Sequence, residues 1–233
     1  MTPVPTLSIV IPAYNEEQFI GRLLEQVLAV DLAPLGVAKE VIVVDDCSTD
    51  RTSAIVAEVP GVHLHRLLKN GGKGQAVRAG IARATGEYLI IQDADLEYDP
   101  QDYVPMMRAM LAGRAEVIYG SRYLGRGRHP NQSLAAFLGG RSLSLVMLAC
   151  TGHYLTDTVT ALKLFPRTLL PDLKLETTGF ETDHEITAKV LARGLRIAEV
   201  PISYYPRSKA AGKKIGPRDW FVGTRTFWRY RNG

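Results

Sequence analysis

Apolar residues fall into two alternating kinds of run along the first half of the chain. Short unbroken stretches at Leu7 to Ile11, Glu40 to Val44, Val62 to Arg66 and Tyr88 to Ile91 are rich in Val, Ile and Leu and bounded by Pro, Gly or Asp. Such runs predict strands buried on both faces. Between them, apolar positions recur three and four apart: Phe19, Ile20, Leu23, Leu24, Val27 and Leu28, then Thr52 to Val59, then Ala76 to Ala84. That period predicts amphipathic helices. Strand alternating with helix predicts right-handed βαβ units, hence an α/β fold with a mostly parallel central sheet covered on both faces. Its ligand site is expected at the carboxyl ends of the strands.

Past a further strand at Val117 to Tyr119 the pattern changes. A Gly- and Arg-rich loop, Ser121 to Ser133, leads to an apolar helix and a strand near Ala161 to Phe165. A helix from Phe180 to Arg193 and a strand pair around Arg196 to Tyr205 follow. The last segment, Pro217 to Arg231, reads as an amphipathic helix with Trp220, Phe221, Phe227 and Trp228 clustered on one face. No repeat or linker interrupts the pattern, so a single domain is expected over residues 1–233. The apolar stretch Ser142 to Thr151 falls short of the roughly 20 residues that span a bilayer and is not expected to cross one.

Composition narrows the partners. A chain of 233 residues with 46% hydrophobic content can bury one substantial core. Cys47 and Cys150 lie far apart without metal-ligand spacing, which argues against a disulfide scaffold and a structural zinc site. The N-terminal run lacks the basic region and cleavage site of a secretion signal, so a reducing, cytoplasmic setting is expected. Net charge is only +4, but Arg207 to Arg231 carries eight Lys/Arg against the single acid Asp219. An anionic partner is expected there, and the interleaved aromatics fit a nucleic acid, a stacked core or an anionic membrane surface.

Candidate chemistry gathers at the predicted strand ends: Asn15 and Glu16, then Asp45 and Asp46, then Asp93 and Asp95. Any one of these reads equally as a helix cap. Three together are expected to converge on one cleft. A diphosphate brings about two negative charges, and like charges 4 Å apart repel by roughly 4 kcal/mol at an effective dielectric of about 20, so a bridging cation is implied. Mg2+ typically takes one or two carboxylates plus substrate phosphates and water. Asp95 and Glu97, two apart on an extended segment, supply that set, leaving Asp93 for a ribose hydroxyl; Mn2+ is the alternative ion. His63, His65, His129, His153 and His184 form no ligand-spaced pair. Asn70 to Gly74 reads as a tight turn or a phosphate-approaching loop, with Lys73 as a charge partner. No GxGxxG follows the first strand, against a dehydrogenase.

The strings SIVIPAYNEE, VIVVDDCSTD, NGGKGQAVRAGIARATGEYLIIQDADLE and VIYGSRY, in that order, resemble glycosyltransferase family 2, inverting enzymes of GT-A fold with a DxD motif. The resemblance implies that Pro12, Tyr14, Glu16 and Asp46 surround the base and ribose, and that Asp93, Asp95 and Glu97 handle ribose, metal and phosphates. LGGRSLSL, LTDTVTALKLF, GFETDHEITAKVLARG and EVPISYYPRSKAAGKKI resemble the polyprenyl-phosphate hexosyltransferases, the group of dolichyl-phosphate mannose synthases and glucosyltransferases. Residues 1–123 then form a nucleotide-sugar half and 124–233 an acceptor half with interfacial helices. The implied reaction moves mannose or glucose from GDP-mannose or UDP-glucose to a polyprenyl or dolichyl phosphate, by an enzyme held peripherally at the cytoplasmic face of a membrane, and the basic aromatic tail is then expected to meet that surface and not a nucleic acid.

In that group Arg122 and Arg141 match arginines that hold the acceptor phosphate, and Arg207 and Lys214 match a loop that closes over the diphosphate. Asp95, Arg122, Arg141 and Arg207 are therefore the candidate catalytic residues. A lipid monophosphate has a second pKa of about 6 and attacks without a strong protein base, so positioning and charge neutralisation remain. Thr158 to Ala161 depart from the usual ETCY or ETGY, and Thr182 and Asp183 from a usually hydrophobic or Glu-rich stretch. A glycan or small-alcohol acceptor, with Asp183 or Glu185 as base, is the alternative; a non-catalytic nucleotide-sugar-binding subunit is the third.

Overall fold

A computed structural model describes residues 4–124, 128–129, 132–206 and 217–232. The unbroken apolar runs form strands β1 (Thr6–Ala13), β2 (Ala38–Asp45), β3 (Val62–Arg66) and β4 (Tyr88–Ile91). The periodic segments form α1 (Ile20–Ala29), α2 (Thr52–Ala57) and α3 (Lys73–Ile81). After them come α4 (Tyr103–Leu111), β5 (Val117–Ser121), α5 (Leu134–Thr151), β6 (Lys163–Pro166), α6 (Leu169–Asp172), α7 (Thr182–Ala192), β7 (Ile197–Pro201) and α8 (Pro217–Tyr230). The strands make one seven-stranded sheet in the order β3-β2-β1-β4-β6-β5-β7. Only β6 runs antiparallel to its neighbours β4 and β5.

Burial on both sides explains why the central strands lack polar alternation. Ile9, Ile11, Val41, Val43 and Ile90 face one layer with α1 and α4, whereas Val10, Ile42, Val44, Leu89 and Ile91 face the other, under α3, α5, α7 and α8. Because β1, β2 and β4 run in parallel, their carboxyl ends deliver Tyr14, Asp46 and Asp93 to one edge.

Three expectations change. The strand pair around Arg196 to Tyr205 is not a pair: β7 joins β5 in parallel and ends at Pro201, and Tyr204 forms only an isolated bridge with Tyr98. The apolar helix follows the loop directly, from Leu134 to Thr151, so the apolar stretch Ser142 to Thr151 is its second half; Ser133 caps it, its Oγ accepting from the Ala136 N–H at 3.1 Å. At 18 residues with mean hydropathy 1.6 it is long and apolar enough to cross a membrane by length and composition, so shortness does not argue against crossing. The aromatics of α8 also split between two faces: Phe227 is fully buried, while Phe221 and Trp228 are exposed.

Candidate active site

A cleft of about 770 Å³ opens at the carboxyl ends of β1, β2 and β4, and continues between α5 and α8. Pro12, Tyr14, Glu16, Asp46, Lys73, Asp93, Asp95, Glu97 and Arg122, all singled out from the sequence, line it together. Arg141 does not: it sits on α5, donating from Nη1 to the Thr156 carbonyl at 2.8 Å and from Nη2 to the Tyr154 hydroxyl at 2.5 Å. Arg207 and Lys214 lie outside the described residues.

The strand-end loops brace one another. Asn15 N–H donates to Ser48 Oγ and Glu16 N–H to Thr52 Oγ1, both at 2.9 Å, tying the loop after β1 to the loop after β2. The Asp46 carboxylate accepts from the Gly71 and Gly72 N–H groups at 2.8 and 2.7 Å, so it anchors the glycine loop. Gly72 has φ +84 and a Cβ there would lie 2.4 Å from the Thr178 carbonyl oxygen; no other residue fits without displacement. This turn starts α3 at Lys73, earlier than the apolar period predicts.

Lys73 is the electrostatic centre of the cleft. Its ammonium lies 2.8 Å from Asp93 Oδ1 and 2.9 Å from Asp183 Oδ2. Burial pulls its pKa down, but Asp183 and Asp93 outweigh that and hold it above the usual lysine value. Asp183 binds Lys163 through its other oxygen at 2.9 Å. Burial raises the Asp183 pKa, yet Lys163 and Lys73 together keep it well below the usual carboxylate range. A carboxylate so stabilised is a weak base. Glu185, fully buried, does not line the cleft and accepts from Lys189 Nζ, the Glu176 and Thr177 N–H groups and Thr177 Oγ1. Neither residue has the surroundings of a general base.

The Asp93–Glu97 turn presents hard oxygen donors. Leu96 takes φ +58, a left-handed conformation uncommon outside glycine. Asp95 Oδ1 accepts from the Glu97 N–H at 3.1 Å, and Glu97 Oε2 accepts from the Tyr204 hydroxyl at 2.7 Å. Among the described residues no three His, Cys, Asp or Glu side chains gather as a cage for a metal ion. The Asp95 and Glu97 carboxylates, both lining the cleft, fit Mg2+ or Mn2+, ions that complete their shell with substrate oxygens and water.

Arg122 lines the cleft but is committed to Asp157, which its Nε and Nη2 meet at 2.6 and 2.8 Å. Burial lowers its pKa and Asp157 more than restores it. The guanidinium lies 5.0 Å from the Tyr204 ring centre and 5.3 Å from that of Tyr123. Sequence reading missed Asp157, Lys163, His184 and Tyr204. For Lys163 a signal exists: a lysine between Leu162 and Leu164 in an otherwise apolar strand.

Two electrostatic characters meet in the cleft. Glu16, Asp46, Asp93, Asp95, Glu97, Asp183 and Asp219 line it against only two cationic side chains among the described residues, Lys73 and Arg122, both already paired with carboxylates. Toward α5 and α8 the lining turns mostly apolar, with Leu143, Val159, Phe180, Trp220 and Phe221 beside the small residues Ala136 and Gly139, and Asp219 the one carboxylate that α8 brings.

The family model described as glycosyl transferase family 2 matches residues 8–167. The chain is 32% identical over 219 residues to the low-salt glycan biosynthesis hexosyltransferase Agl6 of Haloferax volcanii, covering 93% of this chain and 52% of that one. It is 26% identical over 215 residues to the dolichol-phosphate mannosyltransferase of Pyrococcus furiosus, covering 90% of this chain and 59% of the relative. It thus spans little more than half the length of either. Glucosyl-3-phosphoglycerate synthase of Mycobacterium tuberculosis, crystallised with Mn2+, UDP and glucosyl-3-phosphoglycerate, superposes with a TM-score of 0.67 at 20% identity, over 96% of this chain and 77% of that one. That likeness carries the GT-A fold.

Proposed function

Since the chain belongs to glycosyl transferase family 2, we propose that it transfers a hexose, with inversion, from a nucleoside-diphosphate sugar to a polyprenyl phosphate, using a divalent cation. One observation carries this reading: a single cleft is rich in carboxylates at the strand ends and apolar between α5 and α8, so a charged headgroup and an apolar tail fit one cavity. The names of the Pyrococcus mannosyltransferase and of an undecaprenyl-phosphate 4-deoxy-4-formamido-L-arabinose transferase from Sodalis glossinidius support a lipid-phosphate acceptor.

The surplus of carboxylates makes the cation necessary. A diphosphate entering the cleft without one meets like charge and two cationic side chains that are already paired. Asp95 and Glu97 would hold Mg2+ or Mn2+, which when bound neutralises the diphosphate and stabilises the leaving group. Asp93 receives a ribose hydroxyl, and Pro12, Tyr14, Glu16 and Asp46 frame the nucleoside. The acceptor phosphate attacks the anomeric carbon from the side opposite the departing diphosphate, and its own charge replaces a protein base. Arg122, beside the Tyr123 and Tyr204 rings, offers its guanidinium to that phosphate; the resemblance assigns Arg207 and Lys214 to the diphosphate. Arg141 supports the loop Tyr154–Thr156 instead. The exposed apolar and basic side chains of α5 and α8 hold the domain peripherally on the cytoplasmic face of a membrane.

The test is transfer of label. Incubated with Mg2+ or Mn2+, labelled GDP- and UDP-hexoses and a short polyprenyl phosphate, the protein is expected to carry label into the organic phase with one donor. Label that stays aqueous with every donor overturns the lipid acceptor.

A further inference from the structure

Four charged side chains of alternating sign form a row from the cleft into the core. Asp93 meets Lys73 at 2.8 Å, Lys73 meets Asp183 at 2.9 Å, and Asp183 meets Lys163 at 2.9 Å. Side-chain exposure falls from 26% at Asp93 to 11%, 9% and finally 0% at Lys163. The members come from four places: the turn after β4, the start of α3, the first turn of α7 and the start of β6. A fully buried ammonium is costly unless paired and hydrogen-bonded. Packing alone would be served by another leucine, like those at 162 and 164.

Lys163 is fixed on three sides. Its Nζ binds Asp183 Oδ1, donates to the Thr160 carbonyl and lies 5.2 Å from the centre of the Tyr119 ring. It thereby holds one oxygen of Asp183 and leaves the other for Lys73. Without it, the buried Asp183 carboxylate has Lys73 as its one remaining cationic partner in the row and draws that ammonium inward, away from Asp93. The other ionisable groups facing the row do not substitute. Asp157 is bound to Arg122, His184 is held neutral by burial, and the Tyr119 hydroxyl is paired with Thr187 Oγ1 at 3.0 Å.

We propose that Lys163 is a positioning residue for the donor site: by satisfying Asp183 it keeps Lys73 shared with Asp93, and so fixes the carboxylate that receives the ribose. This rests on the role given to Asp93 above. It involves no bond making or breaking, only the geometry of a recognition group.

Calorimetry tests it with Mn2+ and whichever of UDP and GDP the wild type binds, alongside the 2′,3′-dideoxy analogue of that nucleotide. Lys163→Met is expected to weaken the ribonucleotide about tenfold, the worth of one charge-assisted hydrogen bond, and to leave the dideoxy analogue unchanged. Discrimination between the two collapses, and Lys163→Arg restores it. A structural role alone lowers Tm but leaves the discrimination ratio intact, which overturns the proposal. Should Lys163→Met fail to fold, Lys163→Gln, which keeps a hydrogen-bond donor for Asp183 but not the charge, is expected to give the same collapse, and an unchanged ratio there overturns it equally. Wild type that binds nucleotide without discriminating removes the ribose role of Asp93 and the proposal with it. Wild type that binds neither nucleotide refutes the donor reading itself, a distinguishable failure.

Discussion

Glu97 is 8% exposed and oriented by a hydroxyl from a residue 107 positions away, Tyr204. Groups that orient a metal ligand typically contribute about 10–100-fold to metal affinity. Tyr204→Phe is therefore expected to raise the Mn2+ concentration giving half-maximal nucleotide binding by about that factor, and an unchanged Mn2+ titration would show that Glu97 is not a ligand. Asp95→Asn is expected to abolish the Mn2+ dependence of nucleotide binding altogether. The sequence displays Asp95 and Glu97 because their spacing is local and their residue types are few. It hides Tyr204, and likewise Asp157, which clasps Arg122 across 35 residues, because no local period links partners that distant. The same limit explains Arg141. Its charge is legible, but its direction depends on where the Tyr154–Thr156 loop lies.

Between elements, the tightest junction joins the start of α3 to the loop before α7. A Cβ on Gly74 would lie 2.1 Å from Thr182 Oγ1 and 2.4 Å from the Thr177 carbonyl oxygen. Gly74→Ala is expected to cost about 1–3 kcal/mol in urea unfolding, and to weaken nucleotide binding because Lys73 is its chain neighbour. A second junction is pH-sensitive. His184 on α7 lies edge-on to Phe227 of α8, ring centres 5.0 Å apart, and neither ring nitrogen makes a well-formed hydrogen bond. Burial, opposed by Asp183, lowers its pKa to about 4 from the ordinary 6.5. The unfolded chain then binds the proton more readily, so stability falls as pH drops from about 6.5 toward 4, by up to roughly 3 kcal/mol. His184→Leu is expected to flatten that part of the Tm-versus-pH curve. Strand positions were legible to within a few residues because unbroken apolar runs have one explanation in a doubly covered sheet. Helix α4 was not, since Pro100 and Pro105 mask the spacing of Tyr103, Met106, Met107 and Met110, all of which are buried. Gly139, Gly140 and Arg141 likewise interrupt the apolar run that α5 continues.

At the scale of the molecule, α5 and α8 lie against each other and each turns one face to the core and another outward. Leu143, Met147, Phe227 and Tyr230 are buried, whereas Leu134, Leu138, Leu145 and Leu148 on α5 and Phe221, Val222 and Trp228 on α8 are exposed. The sequence marks α8 as amphipathic but not which side meets the core, because a helical period carries no reference direction. Exposed apolar side chains gathered on two neighbouring helices call for a partner. On α8 they are interleaved with the exposed Arg225 and Arg229, and Arg231 stacks 3.6 Å over the Trp228 ring. That combination matches an anionic lipid surface, where apolar groups enter the headgroup boundary and arginines meet phosphate. Although α5 has the length to cross a bilayer, it packs along α7 and α8, and Arg141 midway along it is tied to Thr156 and Tyr154. Lying on the surface, as proposed above, is compatible with those contacts. Each large apolar side chain contributes about 1.5–3 kcal/mol on burial, so Leu145→Ser together with Trp228→Ser is expected to weaken binding to anionic vesicles about 100-fold or more. Nucleotide affinity should stay unchanged, since neither residue lines the cleft. Wild-type binding should also fall with added salt, as the arginine contribution is screened. Equal sedimentation of the double variant with vesicles would overturn the assignment of a membrane contact to these faces of α5 and α8.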